Sequence, residues 1–227
     1  MNTEFDVVAL GELLIDFTAY GTSEQGNGLF EACPGGAPCN VLAMLRKRIN
    51  TTFIYGTHDQ TEVMTLGDRI VIMKDGFIQQ IGTPQEVFNH PANTFVAGFI
   101  GVPQMNFFND AKLTLENGRY AVEILGHLFG LEEKQQQALK AANRRPGAVI
   151  AGVRPVHVQL GHGGIPAKLE VSEMMGSEKY LHTTVGGTEI VAVVPTLDAG
   201  DDTDTVELDF LPGCIHLFDP DDQSNLL

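Results

Sequence analysis

The chain has 227 residues, a formal net charge of −15 and 43% hydrophobic residues. That length holds one large or two small domains, and the apolar share is ordinary for a protein with a packed core. The acidic balance, with pI near 4.7, excludes nucleic acid as a partner class, because phosphate binding needs clustered Lys and Arg. The only dense basic run, Arg46-Lys47-Arg48, is too short to change this.

Taken in chain order, Phe5–Leu10 and Leu13–Phe17 read as two strands around a Gly-Glu break. A polar loop runs to about Gly28, and Pro34-Gly35-Gly36-Ala37-Pro38 reads as a turn into a helix over Cys39–Ile49. Val41, Leu42, Leu45 and Ile49 share one face of that helix. Thr52–Tyr55 is expected as a buried strand, and strand, helix and strand would form a right-handed βαβ unit. Gln60–Leu66 is a short helix. Arg69–Met73 and Phe77–Gln80 pair through the turn Lys74-Asp75-Gly76. Thr83, Pro84 and Glu86 form a helix start, and Asn93–Ile100 is a further helix closed by Gly101 and Pro103.

From about Gln104 short apolar runs alternate with turn signals. Strands are expected at Ala111–Leu115, Arg119–Ile124, Ala148–Val153, Ala167–Met174, Tyr180–Val185, Glu189–Val194, Thr205–Leu211 and Ile215–Phe218. This spacing predicts small antiparallel barrels, interrupted by one helix over Leu131–Ala142. Gly161-His162-Gly163-Gly164 reads as a flexible turn between strands. Asp198–Asp204 and Asp219–Asp222 read as solvated acidic segments.

Candidate chemistry is sparse. Cys33, Cys39 and Cys214 fit neither a disulfide framework nor a common zinc spacing. His157, His162, His182 and His216 share no ligand spacing, so no metal site is expected. Arg154-Pro155 is expected to fix a strand end. No apolar run reaches the ~18 residues of a membrane span.

Two resemblances emerge from the motifs. Thr57-His58-Asp59-Gln60, Leu66-Gly67-Asp68-Arg69-Ile70, Met73-Lys74-Asp75-Gly76, Gly82-Thr83-Pro84, Asn93–Gly101, Met105-Asn106-Phe107, Gly152–His157 and Met175-Gly176-Ser177-Glu178 resemble the C-terminal part of the ATPase subunit of maltose-type and multiple-sugar ABC importers. That resemblance implies an OB-like, TOBE-type regulatory domain over 104–227 that pairs two subunits, preceded by an ATPase remnant over 46–103. It also implies a cytoplasmic location, peripheral on the inner face of the membrane through the importer's membrane subunits. His58 is placed as the switch histidine that reaches the γ-phosphate of ATP.

Residues 1–45 resemble instead the N-terminus of the ribokinase/fructokinase sugar kinases, on Gly11–Phe17 and Pro34–Val41. The resemblance implies sugar-hydroxyl contacts from Asp16, Gly35, Gly36 and Asn40, with carboxylate and amide pairing to hydroxyls and side-chain-free backbone allowing close approach. The expected fold class is α+β, a truncated α/β N-terminal region followed by an all-β domain, and the join falls near Ala43–Arg48.

Neither parent chemistry is complete in these residues. There is no G-x-x-x-x-G-K-[ST] loop to cradle phosphates and Mg²⁺. Ala199-Gly200-Asp201 lacks the Gly and the following helix that a sugar-kinase base segment needs. No ATP or Mg cofactor is therefore expected in this chain, no catalytic site is intact, and homodimerisation is the expected association. A degenerate fructokinase-like sugar binder and a module docking a transport regulator stand as alternatives.

Overall fold

A computed structural model describes residues 9–10, 14–22, 28–35, 55–56, 59–196 and 204–227. The chain divides into two compact units, Met1–Ile70 with Gly82–Pro84, and Val71–Ile81 with Gln85–Leu227.

In the first unit, β1 (Ala9–Leu10) pairs parallel with β4 (Tyr55–Gly56), as the βαβ reading requires. The expected helix over Cys39–Ile49 lies outside the described residues. β2 (Leu14–Thr22) and β3 (Gly28–Gly35) form an antiparallel hairpin with Ile15 opposite Pro34 and Leu14 opposite Gly35. Pro34 and Gly35 are thus strand residues, not the start of a turn. The run Leu29-Phe30-Glu31-Ala32-Cys33 gives that segment enough apolar strand character to extend through them. Helix α1 spans Gln60–Leu66.

In the second unit, β5 (Ile70–Lys74, within it from Val71) and β6 (Phe77–Gly82, within it to Ile81) form a two-stranded sheet. Their turn places Asp75 and Gly76 at φ 52° and 83°, the left-handed pair favoured by two-residue hairpins. Helices α2 (Pro84–Asn89) and α3 (Thr94–Phe99) follow. Asn93 caps α3 by accepting from Val96 N at 2.9 Å.

The rest is β-rich, as two antiparallel sheets. One has five strands in the order β15-β10-β7-β8-β9: Ile215–Phe218, Gly147–Val153, Asn106–Glu116, Arg119–Ile124 and His127–Gly130. The other has four, in the order β13-β12-β11-β14: Thr188–Pro195, Glu178–Val185, Val158–Met175 and Thr205–Phe210. Apolar side chains from both sheets fill one core. Val122, Ile124, Ala151 and Leu217 of the first meet Ile190, Ala192 and Leu208 of the second, all fully buried. Each such side chain removed from water is worth about 1.5–3 kcal/mol for the larger residues.

Asn106 joins the sheets. Its amide donates to Val191 O at 2.9 Å and accepts from Val191 N at 2.9 Å, so one side chain substitutes for a missing strand neighbour. Helix α4 (Glu133–Ala141) lies over the core through Leu139. Its buried Gln136 donates to Tyr120 O and Leu131 O and accepts from Tyr120 N, and Gln135 donates to Ile215 O at 2.7 Å. These amides complete strand-end backbone groups that water cannot reach.

One further expectation needs correction, and two features go beyond the sequence reading. Gly161–Gly164 is no turn: it is a bulge inside the single strand β11, with both Leu160 and Ile165 in register with Leu208. Gly164 is needed because a Cβ there would lie 2.3 Å from Leu208 O. Strand β9 was not expected, because its turn uses Leu125 at φ 52° before Gly126, a residue that carries no turn signal. Asp219–Asp222 is largely exposed, as expected of a solvated segment, yet it is tied in place. Asp219 pairs with Arg144 at 2.7 Å and accepts from Asp221 N, while Asp222 accepts from Ser224 N.

Candidate functional site

Several of the motifs that carry the ABC resemblance in the second unit, those within 93–107 and 152–157, meet around Arg154. Gly98 is small because the Phe107 ring sits 3.2 Å from where its Cβ would be. Gly101 has φ 113°, and a Cβ there would meet the Arg154 guanidinium at 2.9 Å. Gly152 leaves room for Met105, whose sulfur would be 2.5 Å from an added Cβ, and for Phe218 at 3.1 Å. Ala97, Met105, Ile150 and Phe218 form a small buried cluster of their own, with Phe107 against it.

Arg154 is the centre. It is 2% exposed. Its Nε and Nη2 donate to Phe88 O at 3.1 and 2.6 Å, and Nη1 donates to Ile100 O at 2.5 Å and Ala97 O at 3.5 Å. Its guanidinium carbon lies 3.9 Å from the centre of the Phe88 ring. The planar fork thus serves the C-terminal carbonyls of α2 and α3, where helix dipoles favour a cation. Burial lowers its pKa to about 10, which still leaves it charged at neutral pH. The expectation that Arg154-Pro155 fixes a strand end holds, and the fork also ties down two helices.

Two histidines flank it. His157 closes the short 3-10 turn Pro155–His157 with a bond from its N–H to Arg154 O at 2.8 Å, and its Nδ1 has no hydrogen-bond partner among the described residues. Burial and then the Arg154 charge lower its pKa. His216, opposite Gly152 in β15 and stacked on Phe218, is held at about 4 by burial, then by the charges of Arg154, His157 and His90. Both imidazoles are neutral at pH 7. Among the described residues no three His, Cys, Asp or Glu side chains are grouped as a metal would require.

The other candidate residues are placed as follows. Asp16 stands in β2 opposite Cys33, and Gly35 stands in β3 opposite Leu14, so both belong to one hairpin. Gly36, Asn40 and His58 lie outside the described residues. His182 lies on β12, 3.7 Å from Glu173, in the other sheet from β15 and His216. Sequence reading missed the grouping of His157, His216 and Arg154, since only the pairing of β10 with β15 brings position 216 beside position 152. The buried glutamines of α4 were also missed; on sequence they read only as good helix formers.

No protein-family model matches the chain. Among proteins of known name, it is similar to ATP-binding subunits of ABC transporters, matching their C-terminal region at about 40% identity. In particular, it is 39% identical over 181 residues to the uncharacterized ABC transporter ATP-binding protein YcjV of Escherichia coli O6:H1, covering 78% of this chain and 49% of that protein. It is 37% identical to the multiple sugar-binding transport ATP-binding protein MsmK of Streptococcus mutans serotype c, covering 81% and 52%. It is 40% identical to the trehalose import ATP-binding protein SugC of Mycobacterium tuberculosis, covering 67% and 40%. The chain thus spans about half the length of the curated relatives it matches. No helix among the described residues is long and apolar enough to cross a membrane.

Proposed function

We propose that this chain carries the regulatory and subunit-pairing region of the ATP-binding subunit of a sugar ABC importer, with an OB-like, TOBE-type β domain over 104–227. On this reading the chain does not hydrolyse ATP itself. One observation supports it: Gly98, Gly101, Gly152 and Arg154 of the ABC-like motifs at 93–107 and 152–157 serve as packing and hydrogen-bonding parts of the Arg154 junction. Phosphoryl transfer rests on positioning and electrostatic stabilisation by a phosphate cradle, and no residues of this sequence spell one. His58 is then a vestigial switch histidine. ATP and Mg are cofactors of the parent families, and the membrane subunits of an importer are partners of the intact subunit, cytoplasmic and peripheral. Residues 1–45 are a sugar-kinase-like fragment whose Asp16, Gly35, Gly36 and Asn40 make half a sugar site.

The test is phosphate release from ATP and Mg²⁺ by the full chain and by His58→Ala, with sedimentation at micromolar concentration alongside. The expected result is no turnover above buffer for either protein, and a dimer. Turnover that disappears in His58→Ala would refute the catalytic part. A clean monomer would refute the pairing part.

A further inference from the structure

Read from sequence, the stretch 85–100 belongs to the end of an ATPase domain, with a boundary to the β domain near Pro103. The contacts say otherwise. Arg154, rooted in the end of β10, holds Phe88 O and Ile100 O from one side. The C-terminal residues hold the same stretch from the other. Thr94 N donates to Gln223 O at 3.1 Å, Asn225 N to Ala92 O at 2.9 Å and Asn225 Nδ2 to Pro91 O at 2.7 Å, while Asn93 bridges Ser224. Thr94 Oγ1 donates to Gln223 Oε1 at 2.8 Å. The hairpin of β5 and β6 is drawn in too: Gln80 exchanges two bonds with His90 O and Ala92 N, and Gln79 accepts from Asn93. The apolar seam Ala97–Met105–Phe218 runs across Gly101–Pro103 without a break.

We infer that Arg154 is a latch that makes residues 85–100 part of the β body, so that Gly101–Pro103 is an internal corner of that body and not a hinge. Movement of α2 and α3 is then delivered whole to the two sheets. The hinge-like residues, Gly101 and Pro103, form a packed corner in which a glycine is required by the guanidinium beside it. The mechanism is a cooperative unit in which breaking the latch frees one segment: a carbonyl that loses its buried donor must find water, and only local opening supplies it. This inference does not depend on the transport reading, since it concerns which residues move together.

Hydrogen exchange on the full chain tests it. In the unmodified protein, amides of α2 and α3 are expected to be protected within about tenfold of those in β10 and β15. In Arg154→Met, which keeps an apolar stem in the same space, protection over 85–100 is expected to fall about 10- to 100-fold while β12 and β13 change by less than about threefold. Arg154→Lys, which keeps the charge and loses the fork, is expected to show the same selectivity at smaller amplitude if the methionine variant does not fold. Two results would overturn the latch: 85–100 exchanging more than about tenfold faster than β10 in the unmodified protein, or a variant that loosens both regions equally or neither.

Discussion

Gln136→Leu isolates the claim that helix α4 is held by side chains that stand in for backbone. Leucine fits nearly the same volume and suits a helix, so neither packing nor propensity should suffer. What is lost is specific. Tyr120 N loses its acceptor at 2.8 Å, Tyr120 O its donor at 2.6 Å and Leu131 O a weaker one at 3.2 Å. Position 136 is 1% exposed, so water cannot replace them. Each orphaned buried group costs about 1–3 kcal/mol. The gain from burying an apolar side chain in place of an amide returns about 1–2 kcal/mol. Counting the two Tyr120 groups at about 2 kcal/mol each and the longer Leu131 bond as minor, the balance is a loss of about 2–3 kcal/mol. Gln137→Leu, one position along the same helix but exposed and bonded only to Glu133 at 3.5 Å, should stay within about 0.5 kcal/mol of the unmodified protein. Urea unfolding followed by far-ultraviolet circular dichroism measures both. If the two variants unfold at the same midpoint with the same slope, the amide is not doing the work assigned to it and the account of α4 fails.

Other outcomes follow from the same reasoning. Asn106→Leu removes both bonds to Val191 and should cost about 2–4 kcal/mol by thermal or urea unfolding; a neutral result would mean the sheets are held by apolar contact alone. Gly164→Ala forces a Cβ against the Leu208 carbonyl, which is backbone and cannot swing away, so a loss above about 2 kcal/mol is expected and an unchanged melting temperature would contradict the bulge. His216 has a folded pKa near 4 against an unfolded value near 6.5. The unfolded chain therefore binds the proton first as pH falls. The stability penalty is absent above about pH 6.5, grows down to about pH 4 and is then constant, reaching at most about 3 kcal/mol. His216→Phe should lack that component, so the stability difference between the two proteins should widen across the interval; a difference that ignores pH would refute the burial.

Most of the β region was legible because its turns announce themselves. Asn117-Gly118, at φ 50° and 77°, are residues that tolerate the left-handed region, and the strand ends on either side were placed within a residue, although β7 begins five residues before its expected start. β8 and β15 were placed with their full bounds. The signal failed where geometry departed from residue preference. Leu125 occupies a left-handed position without any preference for it, which hid β9. The glycines at 161–164 look like a loop because the sequence cannot show that both flanking residues share one partner. The Arg154 junction was legible only as a strand end, because its acceptors lie 54 to 66 residues away in sequence and no periodicity links such distances. The N-terminal motif at Pro34-Gly35 was misread for a different reason: proline and glycine signal turns on average, and here a flanking apolar run carries them into a paired strand.

The bulge in β11 gives this fold a place to carry cargo. Because Leu160 and Ile165 address the same residue across the sheet, the chain between them consumes no ladder position, and the strand's first half stays with β14 while its second half goes on to β12. Extra residues introduced between Gly161 and Gly163 would bud outward without sliding either neighbour. A fluorophore site or short epitope at that point would report on the whole β body while leaving its pairing untouched.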